Sequence, residues 1–410
     1  MEIRPILSAL LRNKTGPVLV AMQVALSLAI LANALHIVNE RREVAARPSG
    51  LVDEAATFYF TVRNLNGDTP EQMLSTIRRE REVLRAVPGM AAAGQVSQMP
   101  MSQSGGTTSV AADARQERES AYASTYISDG SMVKTFGLKL VEGRDFLPHE
   151  VPEVNQAAEN RLPETILMTK ALAEKLWPGA SAIGRTMYFG TGNEARGARV
   201  VGVVERLQTV HAEVGPDAEY SILIPEFQYG RPGTMYALRS EPGQRDRVMR
   251  EAEEALRKSS ATPMILRIKT VDGDRQERYR ADMALSWMLV TVSVLLLLVT
   301  CSGIVGMATL WVNQRRKQIG VRRALGARKS DILRYFIVEN FMITGAGVFG
   351  GVLLGVGLNQ LLVTRLDMTR LPLPYLAGGA VLFWAIGILA AYGPAWRAAG
   401  ISPALATRSA

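Results

Sequence analysis

Four apolar runs, Pro17–Val38, Leu285–Val312, Phe336–Val363 and Tyr375–Tyr392, set the limits on what this chain can fold into. Crossing about 30 Å of hydrocarbon takes a helix of roughly 20 residues rising about 1.5 Å each, and each run is of that order. A helix is also the form such a run must take, because hydrocarbon offers backbone N–H and C=O groups no water. The fold class expected is therefore an α-helical membrane domain of four transmembrane helices. An α+β domain is inserted between the first and second of them, because the long stretch from Asn39 to Met283 is polar. The second run would reach roughly 42 Å as one helix, more than the hydrocarbon needs, so it is expected to project on the outer side as a stalk.

The charge pattern orients these spans. Arg4, Arg12 and Lys14 precede the first run, and Arg315, Arg316, Lys317, Arg322, Arg323, Arg328, Lys329 and Arg334 lie between the second and third with one acid, Asp331. Cytoplasmic loops carry such an excess, which places the N-terminus and the 313–335 segment inside and the polar domain outside. Four spans return the basic 393–410 tail, with Arg397 and Arg408, to the inside. The net charge of +9 is accounted for there, with no nucleic-acid-binding motif beside it, so no nucleic-acid partner is expected and lipid headgroups are. Ala32-Asn33-Ala34 resembles a signal-peptidase site, but the apolar run continues beyond it and the segment reads as a retained span. Gln23, Asn33 and His36 in or near that span read as interhelical hydrogen-bonding groups. Cys301, the only cysteine, lies in a span, so no intrachain disulfide braces the outer domain.

That outer domain, taken as 39–283, has a repeated grammar. Thr57–Val62 is a β-branched and aromatic strand. Thr69-Pro70-Glu71-Gln72 has the form of a capping box with proline at the first helical position. The helix that follows carries Met73, Ile77, Leu84 and Val87 on one face, and Met90–Val96 is a second strand. Met235–Leu238, a helix over 244–258 and Met264–Ile268 repeat the unit. Two halves of a pseudo-repeated α+β layer, about 50–121 and 227–272, which the resemblance given below implies are porter-like, thus bracket an inserted subdomain, about 122–226. In the insert Thr165–Met168 and Arg199–Val204 read as strands, Lys170–Leu176 as a short helix and Pro148–Pro163 as a mobile loop. A turn over 364–374 joins the third and fourth spans. Gly347, Gly351 and Gly355, every fourth residue on the third span, form a helix-packing stripe.

Reaction chemistry has no foothold in these residues. A G-x-x-x-x-G-K-[ST] phosphate loop and a G-x-S-x-G elbow are both missing. His36, His149 and His211 are scattered, with no spacing suited to a metal. No catalytic, metal or cofactor-binding residue is expected on this chain. Glu339, at the inner edge of the third run, reads as the partner of a basic neighbour rather than as a proton carrier.

The run QIGVRRALGARKSDI, Gln318 to Ile332, resembles the short cytoplasmic coupling segment of the MacB/FtsX-like family of ABC transporter permeases. Phe136-Gly137-Leu138, Glu142-Gly143-Arg144-Asp145-Phe146, ALAEKLWPGASAIGRTM (Ala171–Met187) and Arg199–Val204 look like the consensus of the MacB-type periplasmic core domain. Pro394-Ala395-Trp396-Arg397-Ala398-Ala399 with Ile401-Ser402-Pro403 resembles the family's closing segment. The resemblance implies a non-catalytic, multi-pass subunit of the bacterial inner membrane. Its Gln318, Ile319, Gly320, Arg322, Arg323, Ala324, Leu325, Gly326 and Ala327 would dock on a separate ABC ATPase subunit that carries ATP and Mg. It further implies a second permease copy or paralogue, a periplasmic adaptor and an outer-membrane channel, and mechanotransmission that drives export or efflux. An FtsX/LolC-like role in cell-wall hydrolase regulation or lipoprotein release is the alternative within the family, and a membrane-anchored periplasmic sensor the alternative outside it. Gln318 stands where the family commonly has an acid.

A topology reporter fused after Ser330 is expected to read cytoplasmic and one inserted within 148–163 periplasmic. Opposite signals would overturn the four-span arrangement.

Overall fold

The structure, a computed structural model, describes residues 14–65, 68–158, 161–260, 262–366 and 369–400. Arg4, Arg12, Arg408 and the Ile401-Ser402-Pro403 part of the closing segment lie outside them. The chain divides into two compact units, residues 44–280 and the remainder. In chain order the elements are α1 (Thr15–Ala45), β1 (Thr57–Asn64), α2 (Pro70–Arg85), β2 (Met90–Val96), β3 (Thr107–Ala111), β4 (Ala121–Ser128), α3 (Met132–Phe136) and β5 (Leu140–Gly143). Then come β6 (Glu153–Asn155), β7 (Thr165–Thr169), α4 (Lys170–Leu176), β8 (Thr186–Phe189), β9 (Arg196–Val204), β10 (Ser221–Pro225), β11 (Phe227–Tyr229), β12 (Thr234–Ser240), α5 (Arg245–Ser259) and β13 (Met264–Thr270). The last four helices are α6 (Val271–Gln314), α7 (Arg316–Ala324), α8 (Lys329–Leu366) and α9 (Leu373–Ala399).

In the 44–280 unit, β1-α2-β2 and β12-α5-β13 interleave rather than sit side by side. The strand order is β2-β12-β1-β13 with antiparallel neighbours, so each unit contributes one central and one outer strand, a split βαβ arrangement. Side chains alternate across a strand, and β1 shows what that requires here. Phe58, Phe60 and Val62 are buried with Ile77, Leu84, Val248 and Leu256 under α2 and α5, while Tyr59 is buried in a second core on the other face. A strand covered on both faces favours large apolar and β-branched residues on each, hence Phe58-Tyr59-Phe60 in succession. The capping box forms: Thr69 Oγ1 accepts from Gln72 N at 3.4 Å, and Thr69 N donates to Gln72 Oε1 at 2.8 Å.

The insert closes on itself. β10 pairs with β7 on one side and with β4, in parallel register, on the other, so β4, β3, β8, β9, β7 and β10 form a ring. Ile166, Met168, Ile222 and Ile224 belong to one core, and Leu167 and Leu223 to the core shared with Tyr59. β3 takes both its partners, β4 and β8, from this ring. Part of the stretch expected as a loop is regular: β6 pairs in parallel with β11. Two short motifs are structural knots. Gly137 takes a left-handed φ of +63°, where an added Cβ would meet Val52 Cγ1 at 2.3 Å, and the Arg144 guanidinium forks onto both Glu150 oxygens at 2.7 Å.

The root of α6 belongs to the same unit. Arg275 forks onto Glu54 at 2.8 and 2.7 Å and donates to the Ala45 carbonyl at 2.7 Å, and Tyr59 Oη donates to Asp274 at 2.7 Å. The helix therefore starts well before the apolar run at Leu285, because Val271 and Tyr279 are core residues and not linker.

In the membrane unit, α1, α6, α8 and α9 are each long and apolar enough to cross a bilayer. α1 is the most enclosed, with Val24 and Leu28 fully buried. Gly347 and Gly351 of α8 face it so closely that an added Cβ would lie 2.8 Å from the Ala21 carbonyl oxygen and 2.9 Å from Leu28 Cβ. At Gly355 the carbonyl accepts from Asn33 Nδ2 at 3.1 Å. Ser27 and Thr300 share a hydrogen bond of 2.8 Å between α1 and α6. α9 extends to Ala399 with Pro394 inside it, so 393–399, expected as tail, continues the span as helix.

The α2 stripe carries one charged residue, Glu80, between Ile77 and Leu84. It is buried, and Tyr236 Oη donates to its Oε2 at 2.7 Å. Burial pushes its carboxyl above the usual range, outweighing the Tyr236 hydrogen bond. A raised folded-state pKa gives stability that is whole below the unfolded value and lost as pH rises through the folded one. Glu80→Gln is expected to raise the thermal midpoint at about pH 8, by about 2–4 °C for each kcal/mol relieved, and to change it little at about pH 4. An equal shift at both pH values would show that burial of the charge is not the cause.

Candidate functional site

The segment between α6 and α8 folds as a short helix held between two breaks. α6 ends at Gln314, and Arg315 leaves helical geometry at φ −100° and ψ 12°. The hydrogen bonds Arg315 N to Trp311 O (3.0 Å) and Ile319 N to Arg315 O (2.9 Å) nevertheless bridge the bend, so it is tight. α7 stops where Gly326 adopts a left-handed φ of +99°, with Ala327 N donating back to Arg322 O at 3.1 Å. Glycine suits that position because it has no Cβ to clash. Asp331 then accepts from Arg328 N at 2.9 Å and caps α8.

One face of α7 is clamped. Ile319 is buried with Val312, Ile332, Phe336, Ala395, Ala398 and Ala399, so the small side chains of the last turns of α9 form its seat. At the bend, Arg315 Nη1 donates to both Glu339 oxygens at 2.8 and 2.9 Å, and the Glu339 side chain is 1% exposed. Arg323 Nη1 donates to the Ala399 carbonyl at 2.6 Å, where the free carbonyls of a helix end attract a cation. The Arg322 guanidinium lies 5.1 Å from the Tyr335 ring centroid, within cation–π range. Glu339 thus pairs with a basic neighbour, Arg315.

The other face is bare. Val321 is 51% and Leu325 83% exposed, and Gln318, Ala324 and Gly326 are exposed beside them. Of the nine residues read from the sequence, Ile319 and Gly320 turn inward, Arg323 and Ala327 are half-buried, and Gln318, Arg322, Ala324, Leu325 and Gly326 face out. Val321 was missed, although it precedes Leu325 by four residues and so shares its helical face. Arg315 was missed as an anchor because only the fold brings it to Glu339. The groove beside Gln318 holds about 20 Å3, room for a water and not for a ligand, so the bare face is the feature suited to a partner. Gly347, Gly351 and Gly355 lie apart from this site, against α1 and Leu376. Among the described residues no group of three or more His, Cys, Asp or Glu side chains is gathered as a metal site would need.

Removing one member of a charged hydrogen-bonded pair costs about 2 kcal/mol. Glu339→Gln is therefore expected to loosen α7, read as several-fold faster tryptic cleavage after Arg322 or Arg323 in the intact protein. The swap Arg315→Glu with Glu339→Arg is expected to restore protection. Unchanged cleavage in Glu339→Gln would leave the packing of Ile319 and the Arg323 bond to the Ala399 carbonyl as the anchors.

Comparison with known proteins bears on this arrangement. Residues 24–282, more than half of the chain, match the MacB-like periplasmic core domain family, and residues 290–403 match the FtsX-like permease C-terminal family. The pyoverdine export ATP-binding/permease protein PvdT of Pseudomonas syringae pv. syringae is 33% identical over 33% of this chain and 20% of its own length. The macrolide export ATP-binding/permease protein MacB of Acinetobacter baylyi is 24% identical over 66% of this chain and 40% of its own length. The chain thus spans well under half the length of these relatives. The periplasmic region of MacB from Actinobacillus actinomycetemcomitans aligns with 57% of this chain and 97% of its own at 14% identity, with a TM-score of 0.35.

Proposed function

The chain belongs to the MacB/FtsX-like family of ABC transporter permeases, membrane proteins with an extracytoplasmic domain, and on that premise we propose that it is a non-catalytic subunit that converts ATP hydrolysis on a separate ATPase subunit into movement of its outer domain. ATP and Mg would be bound by that partner. The observation that carries this reading is the division of α7 into a clamped and a bare face. A surface helix with Val321 and Leu325 exposed leaves apolar area in water that a partner groove would remove. Its inner face, fixed to α8 through Glu339 and to α9 through Ala399, would pass a push to both helices rather than yield locally.

A second observation supports outward transmission. α6 is one helix of 44 residues, from its root at Arg275 and Glu54 to the bend beside α7. A continuous helix is stiff, so displacement at one end is expected to reach the other. The assembly proposed comprises two permease copies or paralogues in the inner membrane, the ATPase, a periplasmic adaptor and an outer-membrane channel. Export is the favoured process, since the relatives' names concern export. Hydrolase regulation or lipoprotein release would use the same transmission with a different outer partner.

Leu325 touches little in its own chain, so its substitution tests docking without disturbing the fold. Leu325→Glu is expected to lower permease-stimulated ATP hydrolysis in the reconstituted complex about tenfold or more, with membrane insertion and thermal midpoint unchanged. Full stimulation by this variant would remove the docking role from α7.

A further inference from the structure

Within the 44–280 unit three cavities of about 270, 340 and 250 Å3 lie around β6 and β11 and the residues that flank them, and Glu226 lines all three. Spaces of this size are at the lower end of what small-molecule sites use. The residue is 5% exposed, and a carboxyl so deeply placed is costly unless its oxygens are satisfied.

Its partners form a directed chain of amides. Gln95 grips the Gln228 backbone as a strand would, donating to its carbonyl at 2.6 Å and accepting from its N–H at 3.1 Å. Gln156 Nε2 donates to Gln228 Oε1, and Gln228 Nε2 donates to Glu226 Oε2 at 2.9 Å. The Gln156 and Gln228 side-chain amides each pass a donor toward Glu226, with Gln95 fixing the Gln228 backbone, and such chains polarise so that negative charge gathers at the accepting end. There the chain stops: among the described residues nothing donates to the other Glu226 oxygen. That oxygen lies at the end of the network on a side chain that lines three cavities, where a donor from outside the protein can reach it.

The geometry points to a binding site for an organic ammonium group, seated on the Glu226 carboxylate with its apolar body against Ile127 and Tyr229. The chemical class follows from the surroundings. A cation gains more than a neutral donor from a partly desolvated carboxylate. Ile127, Val96 and Met235 offer the first cavity apolar surface, so a small hydrated cation would leave that surface unused. Arg161, Arg199 and Arg231 also line these cavities, but none donates to Glu226: Arg161 is held by Glu164 at 2.9 Å, and Arg231 is exposed. Burial pushes the Glu226 carboxyl above its usual range, against the Gln228 hydrogen bond and the Arg161 charge, and a bound ammonium would reverse that push. This inference is independent of docking by α7, and its test needs no ATPase.

Full-length protein in detergent would be titrated calorimetrically with phenethylammonium chloride at about pH 8, and with 2-phenylethanol as the neutral counterpart. The expected result is saturable binding of the amine, at least about tenfold tighter than of the alcohol, and a loss of about tenfold or more in Glu226→Gln. Removing a buried charge is expected to leave that variant folded, and the amine-to-alcohol comparison on the unaltered protein decides the matter even if it is not. Equal binding of amine and alcohol, undiminished binding by a folded Glu226→Gln, or no amine binding up to about 10 mM would each overturn the site.

Discussion

Between helices in lipid there is no hydrophobic gain to draw on, so a bundle of four spans depends on how closely backbones approach and on the few polar groups they share. In this protein that contact is the line where α8 lies on α1. Gly347 and Gly351 leave no space for even a methyl group against Ala21 and Leu28. Asn33 reaches across to the Gly355 carbonyl, and Ser27 binds Thr300 on α6. α1 is thereby the helix that both α6 and α8 address. α8 and α9 are joined separately, through the hydrogen bond from Asn340 to the Gly387 carbonyl at 2.7 Å and the stacked rings of Phe341 and Trp384.

The same economy governs the short helix at the inner end. A nine-residue helix is too short to be stable alone, so its order comes from tertiary anchors. They are of three kinds: a buried apolar side chain, a guanidinium on a buried carboxylate, and a guanidinium on a helix-end carbonyl. Arginine serves the last two because its planar fork keeps its charge and presents several donors in fixed directions. Charge that the positive-inside rule would require in any case is thus also used to build the element.

Outside the membrane the chain solves a different problem, that of a domain without disulfides. Strands such as β1, β7 and β10 are covered on both faces, so three apolar cores form where a one-sided sheet would give one. Three buried polar stations carry a carboxylate: Glu80 with Tyr236, Asp274 with Tyr59, and Glu226 at the end of the amide chain. A tyrosine hydroxyl donates to one oxygen of each of the first two carboxylates, and a glutamine amide to one oxygen of the last.

Much of this was legible in the residues. The four spans follow from the length of the apolar runs, since hydrocarbon thickness admits few alternatives. β2 and α4 have the limits that Met90–Val96 and Lys170–Leu176 suggested, because Pro-Gly pairs and alternation punctuate the chain there. The basic segment announced itself by charge and by its resemblance to a known coupling segment. Interleaving of the two strand–helix–strand units was not legible, because periodicity reports which face of a strand is buried and not which strand lies beside it. For the same reason the ring closure through β10 and β4, and the strand within 148–163, had no local signal. At the inner end, sequence determined that a short basic segment interleaved with apolar residues lies between two spans, and the structure made part of it a helix. Only the tertiary structure decided which of those residues face inward, because Arg315 and Glu339, or Arg323 and Ala399, meet through packing of helices far apart in the chain.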